Sequence, residues 1–126
     1  MSNTKNQLLR TALTSNAAFS AISGIALVLL NSQFQHWFEL NIPFWLIGLG
    51  LLPFAWMGYQ ASRDESNMVK RGQVITIMDL TWVTASIGVL LIFDLTTIGQ
   101  WVVGIVALIV ADFALFQWLG MRRILQ

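Results

Sequence analysis

Apolar residues run almost unbroken through four stretches of the chain, 13–30, 42–59, 74–93 and 98–119, with polar segments between them at 31–41, 60–73 and 94–97. Each stretch approaches the roughly 20 residues that a helix needs to cross the hydrocarbon of a bilayer. The intervening segments are too short to build a second domain. Lipid leaves only helices and closed barrels as ways to satisfy the backbone. The pattern therefore predicts one all-α integral membrane domain over 1–126, an antiparallel four-helix transmembrane bundle. SNAAFSAISGIALVLL follows basic residues as a signal peptide would, but NSQFQHW offers no small-x-small cleavage site. The first stretch is expected to stay as a span.

Composition strengthens this picture. The chain is 56% hydrophobic and 10% charged, whereas a soluble domain carries about 25% charged residues. Orientation follows from the basic residues. Lys5 and Arg10 precede the first span, Arg63, Lys70 and Arg71 lie between the second and third, and Arg122 and Arg123 follow the fourth. Segments 31–41 and 94–97 hold only the acids Glu39 and Asp94. The positive-inside rule makes the basic side cytoplasmic, so both termini are expected inside. Trp37, Trp45 and Trp101, with Phe34, Phe38 and Phe44, cluster near the outer boundary, and Tyr59 and Trp118 near the inner one, as an aromatic belt would. The net charge of +1 is spread along one boundary, so the bilayer and not nucleic acid is the partner it implies.

The chemistry the chain lacks narrows the classes further. There is no cysteine and one histidine, His36, outside the spans. Thiolate and cluster metal sites and a two-histidine haem site are excluded. With no H-E-x-x-H and no phosphate-binding glycine loop, no cofactor, metal or catalytic residue is expected. His36 and Trp37 read as part of a short interfacial segment. FDLTT at 93–97 reads as a cap for the fourth span, with Asp94 or a threonine accepting from free backbone N–H groups. Asp64 and Glu65 in the loop QASRDESNMVKR read as solvated or capping.

Small residues recur at helical spacing within the spans. Asn16, Ser20, Ser23 and Gly24 form a stripe on the first; Gly48, Ala55 and Gly58 follow on the second, which Pro53 is expected to kink. The fourth carries Gly104, Ala107, Ala111 and Ala114. Such stripes let helix backbones approach closely in lipid, so Ser20, Gly24, Gly48, Ala55, Gly104 and Ala111 are expected at helix contacts. IPFWLIG and IGQWVVG also align at constant offset, pairing Gly48 with Gly104 and Ala55 with Ala111. This weak repeat would suit two related hairpins.

Two acids interrupt the apolar runs. Asp79 lies roughly 10 Å and Asp112 roughly 12 Å from the inner surface by helical rise, with Asn16 at roughly 9 Å. Trp56 joins that level from the second span. Thr76, Asp79, Val83 and Ser86 share a face of the third, with Trp82 one turn beyond Asp79. An acid at mid-helix costs about 2.5–3.5 kcal/mol on insertion scales, so both acids are expected to point inward. Meeting there, they would share a proton, with Asn16, Thr76, Tyr59 and the Trp56 indole as donors. The structural alternative is that they only fix the register of the bundle.

NAAFSAISG, LNIPFWLIGLGLLPFAW, DLTWV and FALFQWLGMRR together resemble a group of short four-span proteins of bacterial genomes with no established activity. The resemblance covers nearly the whole chain and implies a bacterial inner-membrane location. The chain is not similar to the fluoride channels, whose phenylalanine-serine motif is missing, or to the small multidrug exporters, whose first-span acid is replaced by Asn16. The leading expectation is an acid-lined cavity at Asp79 and Asp112 that opens to the cytoplasm and binds a ligand or conducts protons or cations. The alternative is a non-catalytic accessory subunit or assembly factor of a larger membrane complex. Four short helices offer few inward positions, so a homo-oligomer or larger assembly is expected in either case.

Overall fold

In the computed structural model, residues 4–125 are described, with side chains from Asn6 onward. The Lys5 side chain therefore lies outside the described residues. The chain is all-helical: α1 (Thr4–Leu29), α2 (Asn31–Phe38), α3 (Phe44–Arg63), α4 (Met68–Ile92) and α5 (Thr97–Leu125), with a 3-10 turn at Glu65–Asn67 before α4. Among the described residues three segments are long and apolar enough to cross a membrane: Asn6–Leu29, Glu65–Ile92 and Thr97–Leu125. α3 has 20 residues, but its glycines, tryptophans, tyrosine and Pro53 dilute its apolar character.

The helices overrun the apolar stretches mainly at the basic end. α1 starts well before residue 13, α3 runs on to Arg63 and α5 to Leu125. Leu9, Ala61 and Met121 pack together in these extensions, and such packing sustains a helix past the point where hydropathy falls. Segment 31–41, expected as a connection, is mostly α2. α3 is continuous through Pro53, which sits on its exposed side.

α1 is the central element. It packs along α3 on one side and α5 on the other, and α4 packs on α5; α3 and α4 touch over a smaller area. Its buried set, Leu9, Ala12, Leu13, Asn16, Ala17, Ser20 and Gly24, is wider than one stripe because it faces two neighbours. Near the basic end, Leu9, Leu13, Ala61, Met68, Ile75 and Met121 form one apolar cluster. At the other end Phe38, Phe44 and Leu95 form a second. The expected aromatic belt thus divides. Phe38 and Phe44 are buried, with ring centroids 5.1 Å apart, while Trp37, Trp45 and Trp101 stay exposed.

Two close backbone approaches set the seams. A Cβ on Gly48 would sit 2.5 Å from the Gly24 carbonyl oxygen, and one on Gly24 2.8 Å from that of Gly48. α1 and α3 cross there at a distance that only glycine permits. A Cβ on Gly120 would lie 2.7 Å from the Leu9 nitrogen, which makes a second such crossing between α1 and α5. Gly104, by contrast, has nothing within 4 Å of its Cβ position. Its expected packing role is corrected, and the aligned pair Gly48 and Gly104 have different surroundings.

The connections are held by specific polar bonds. The Thr96 hydroxyl accepts from the Gly99 N–H at 3.0 Å, capping α5, and donates to the Trp37 carbonyl. Asn31 Oδ1 accepts from the Trp45 N–H at 3.0 Å, filling the cap that Pro43 cannot supply. Glu39 ends α2 in the left-handed region at φ 53°.

Candidate functional site

The buried stripe of α4 is Met68, Gly72, Ile75, Thr76, Asp79 and Ser86. Apolar residues cover the outer side of α4, so this spacing turns Asp79 toward α1 and α5. It meets Asn16 from α1 and Gln117 from α5. Asn16 Nδ2 donates to Asp79 Oδ2 at 2.8 Å and to Gln117 Oε1 at 2.9 Å. Gln117 Nε2 donates to the same Asp79 oxygen at 3.0 Å and to Thr76 Oγ1 at 2.9 Å. Ser20 donates to Asn16 Oδ1 at 3.3 Å.

Both N–H groups of each amide are spent, and each amide oxygen accepts one bond. Asn16, Asp79 and Gln117 are 1%, 2% and 0% exposed. Side-chain polar groups buried this deeply are paired in the large majority of cases, and here three helices supply one another's partners. Asp79 accepts both of its bonds through Oδ2; no donor reaches Oδ1 among the described residues. No Lys or Arg pairs with it among those residues.

Asp112 is not part of this centre. The buried positions of α5 are Gly99, Ala107, Val110, Ala114, Gln117, Gly120 and Met121, and Asp112 falls between them on the exposed side. The expectation that both acids point inward and meet is corrected. A helix turns about 100° per residue, so Asp112 and Gln117, five residues apart, face widely different directions. The helix can bury one or the other. Ala111 is likewise only partly buried, because the packed face of α5 is rotated from the Gly104, Ala107, Ala111, Ala114 stripe.

The remaining candidates separate. Thr76 and Ser20 are buried and belong to the polar centre, and Ala55 is buried at the α1–α3 seam. Trp82 Nε1 is buried without a hydrogen-bond partner among the described residues. Trp56 and Tyr59 are 60% and 40% exposed and do not join Asp79. They stack on each other with centroids 5.9 Å apart, and Arg63 lies 5.3 Å over the Tyr59 ring. Together with Thr14, Ala17, Ala18, Ala21, Leu52 and Ala55 they line an outward groove between α1 and α3 of about 360 Å³. A second groove of about 230 Å³ lies between α3 and α4, lined by Met57, Gln60, Arg71, Val74 and Ile75. Neither groove borders Asp79 or Asp112.

Gln117 is the central residue that the sequence reading missed. Its signal was present: it is the only glutamine within 101–119, three residues after Ala114 and seven after Val110. A strongly polar group on the small-residue face outranks its position near the end of the span.

At the basic end the loop polar groups are solvated and paired. Asp64 accepts from Ser66 at 3.0 Å and Asn67 at 3.3 Å and lies 3.3 Å from Arg71. The Ser66 and Asn67 bonds, with Arg71 adding a smaller share, hold its carboxyl below the ordinary value. Arg10 bridges Glu65 at 2.8 Å and the Ser62 carbonyl at 3.0 Å. Among the described residues no group of three His, Cys, Asp or Glu side chains could hold a metal ion. No protein-family model, curated protein or solved structure matches the chain.

Proposed function

We propose that the chain is a four-span protein of the bacterial inner membrane, with both termini in the cytoplasm, that acts by associating with other membrane-embedded protein and is not itself an enzyme. One observation carries this reading: Asp79 is enclosed by Asn16 and Gln117, whereas Asp112 is left exposed within a span. An acid facing lipid is unfavourable by a few kcal/mol unless another polar group meets it. Association supplies that group. The accessory-subunit reading thereby gains over the acid-lined cavity, which required the two carboxylates to meet. α3, with its glycine contact to α1, serves as the fourth span.

A second reading rests on Asp79 Oδ1, which receives no bond. It is a carboxylate oxygen free to take a proton or a cation in the cytoplasmic half of the bundle.

The deciding experiment pairs native mass spectrometry of the chain extracted in mild detergent with proton and cation flux in liposomes. Association predicts a species well above the 14.1 kDa chain that Asp112→Leu weakens and Asp79→Asn does not. Ion flux by a monomer, lost in Asp79→Asn and retained in Asp112→Leu, would replace it with the second reading.

A further inference from the structure

The exposed acid and the outward groove belong to one problem. Asp112 is an acceptor that no donor meets among the described residues, on an α5 face that also exposes Leu108 and Leu115, 68% and 49% accessible. The α1–α3 groove offers the converse. Its floor is alanine, and its wall carries the exposed Trp56 and Tyr59, which supply an indole N–H and a phenol O–H. By helical rise from the basic end, Trp56 lies roughly 10 Å and Asp112 roughly 12 Å along their helices. Copies inserted in the same orientation would hold these groups at one depth.

We infer that α5 of one copy docks into the α1–α3 groove of a second copy, with Asp112 accepting from Trp56 and Tyr59 of that copy. This rests on the association reading and names its partner. Two features favour a second copy. The unmatched acceptor and donors lie on different faces of the same chain, so self-association satisfies both. The alanine floor admits a helix ridge closely, and close packing is what drives association in lipid. The contact joins unlike faces, so it is heterologous and generates a ring or an open array, not an isologous pair.

The chain has no cysteine, which makes cross-linking clean. One tagged copy carries Leu108→Cys on α5 and a differently tagged copy carries Ala21→Cys in the groove. Oxidation in membranes is expected to give a product bearing both tags, and Leu91→Cys, exposed on α4, in place of Leu108→Cys is expected to give none. Asp112→Leu, or Trp56→Phe combined with Tyr59→Phe, should lower the product about tenfold, the scale of 1–2 kcal/mol for interhelical hydrogen bonds. Intact insertion of each variant is checked by its extraction as a folded chain.

Cross-links of Leu108→Cys only to itself would overturn the groove contact. An Asp112-dependent complex with an unlike chain, and no two-tag product, would overturn self-association while leaving the association reading standing. A monomer in native mass spectrometry that is unchanged by Asp112→Leu would remove both.

Discussion

The two seams of α1 are built by different means. Against α3 it approaches through Gly24 and Gly48, backbone against backbone. Against α4 and α5, beyond the Gly120 crossing near its start, it is joined through Asn16, Asp79, Gln117 and Thr76, side chain against side chain. The first seam gains dispersion contacts by removing atoms. The second gains specificity by spending every amide hydrogen on a named partner. Without a hydrophobic drive between helices in lipid, these are the two available routes. One tolerates no added volume and the other no missing partner.

Gly48→Leu should break the first seam most severely. Overpacking against a backbone carbonyl costs about 3 kcal/mol, read as lost stability to unfolding in mixed micelles. Gly104→Leu, with open space around it, should stay within about 0.5 kcal/mol. Equal losses in the two would show that side-chain bulk in a span, and not the crossing, was being measured.

Asp79→Ala tests the second seam. It leaves one N–H each of Asn16 and Gln117 without an acceptor, at about 1–3 kcal/mol for each. Asp79→Asn keeps an oxygen for both donors and should cost less than Asp79→Ala in the same assay. If Asp79→Asn is the worse of the two, the network does not depend on an acceptor at that position.

The two connections differ in a smaller way. Glu39 closes α2 with a left-handed backbone, so Glu39→Gly should stabilise the end bearing the phenylalanine cluster by about 0.5–1 kcal/mol, measured as a rise in the unfolding midpoint. The other connection is tied through Asp64. A carboxyl held below its ordinary value contributes stability that is complete above the unfolded pKa of 3.8 and lost as pH falls through the lower folded one. Amide exchange at Ser66–Met68, corrected for its intrinsic pH dependence, should therefore lose protection below about pH 4. Unchanged protection would mean that Asp64 does not hold the turn. The effect is the smallest here because the group is solvated.

Much of the architecture was legible along the chain. The four apolar stretches mark α1, α3, α4 and α5, because long-range order in hydropathy is a property of residues alone. A cap within FDLTT was legible for the same reason, since capping is local, and the structure chose Thr96 over Asp94 and Thr97. Asn16 and Asp79 stood out as polar groups at one depth, Thr76 as sharing the face of Asp79, and Gly24 and Gly48 as small residues at helical spacing. Asp112 was misread because depth depends on rise, which the sequence supplies, while facing depends on which neighbour a helix packs against. Trp56 and Tyr59 were misplaced by the same gap between level and direction.

The sequence by itself therefore determined the all-helical class, the approximate positions of the four long helices and the asymmetric placement of the basic residues. Tertiary structure decided the rotation of each helix about its axis. That rotation follows from where Gly48 can touch Gly24 and Gly120 can reach Leu9, contacts between residues far apart in the chain. Once α5 turns to place Gly120 and Gln117 on α1, Asp112 must face away, and no property of Asp112 alone could reveal it.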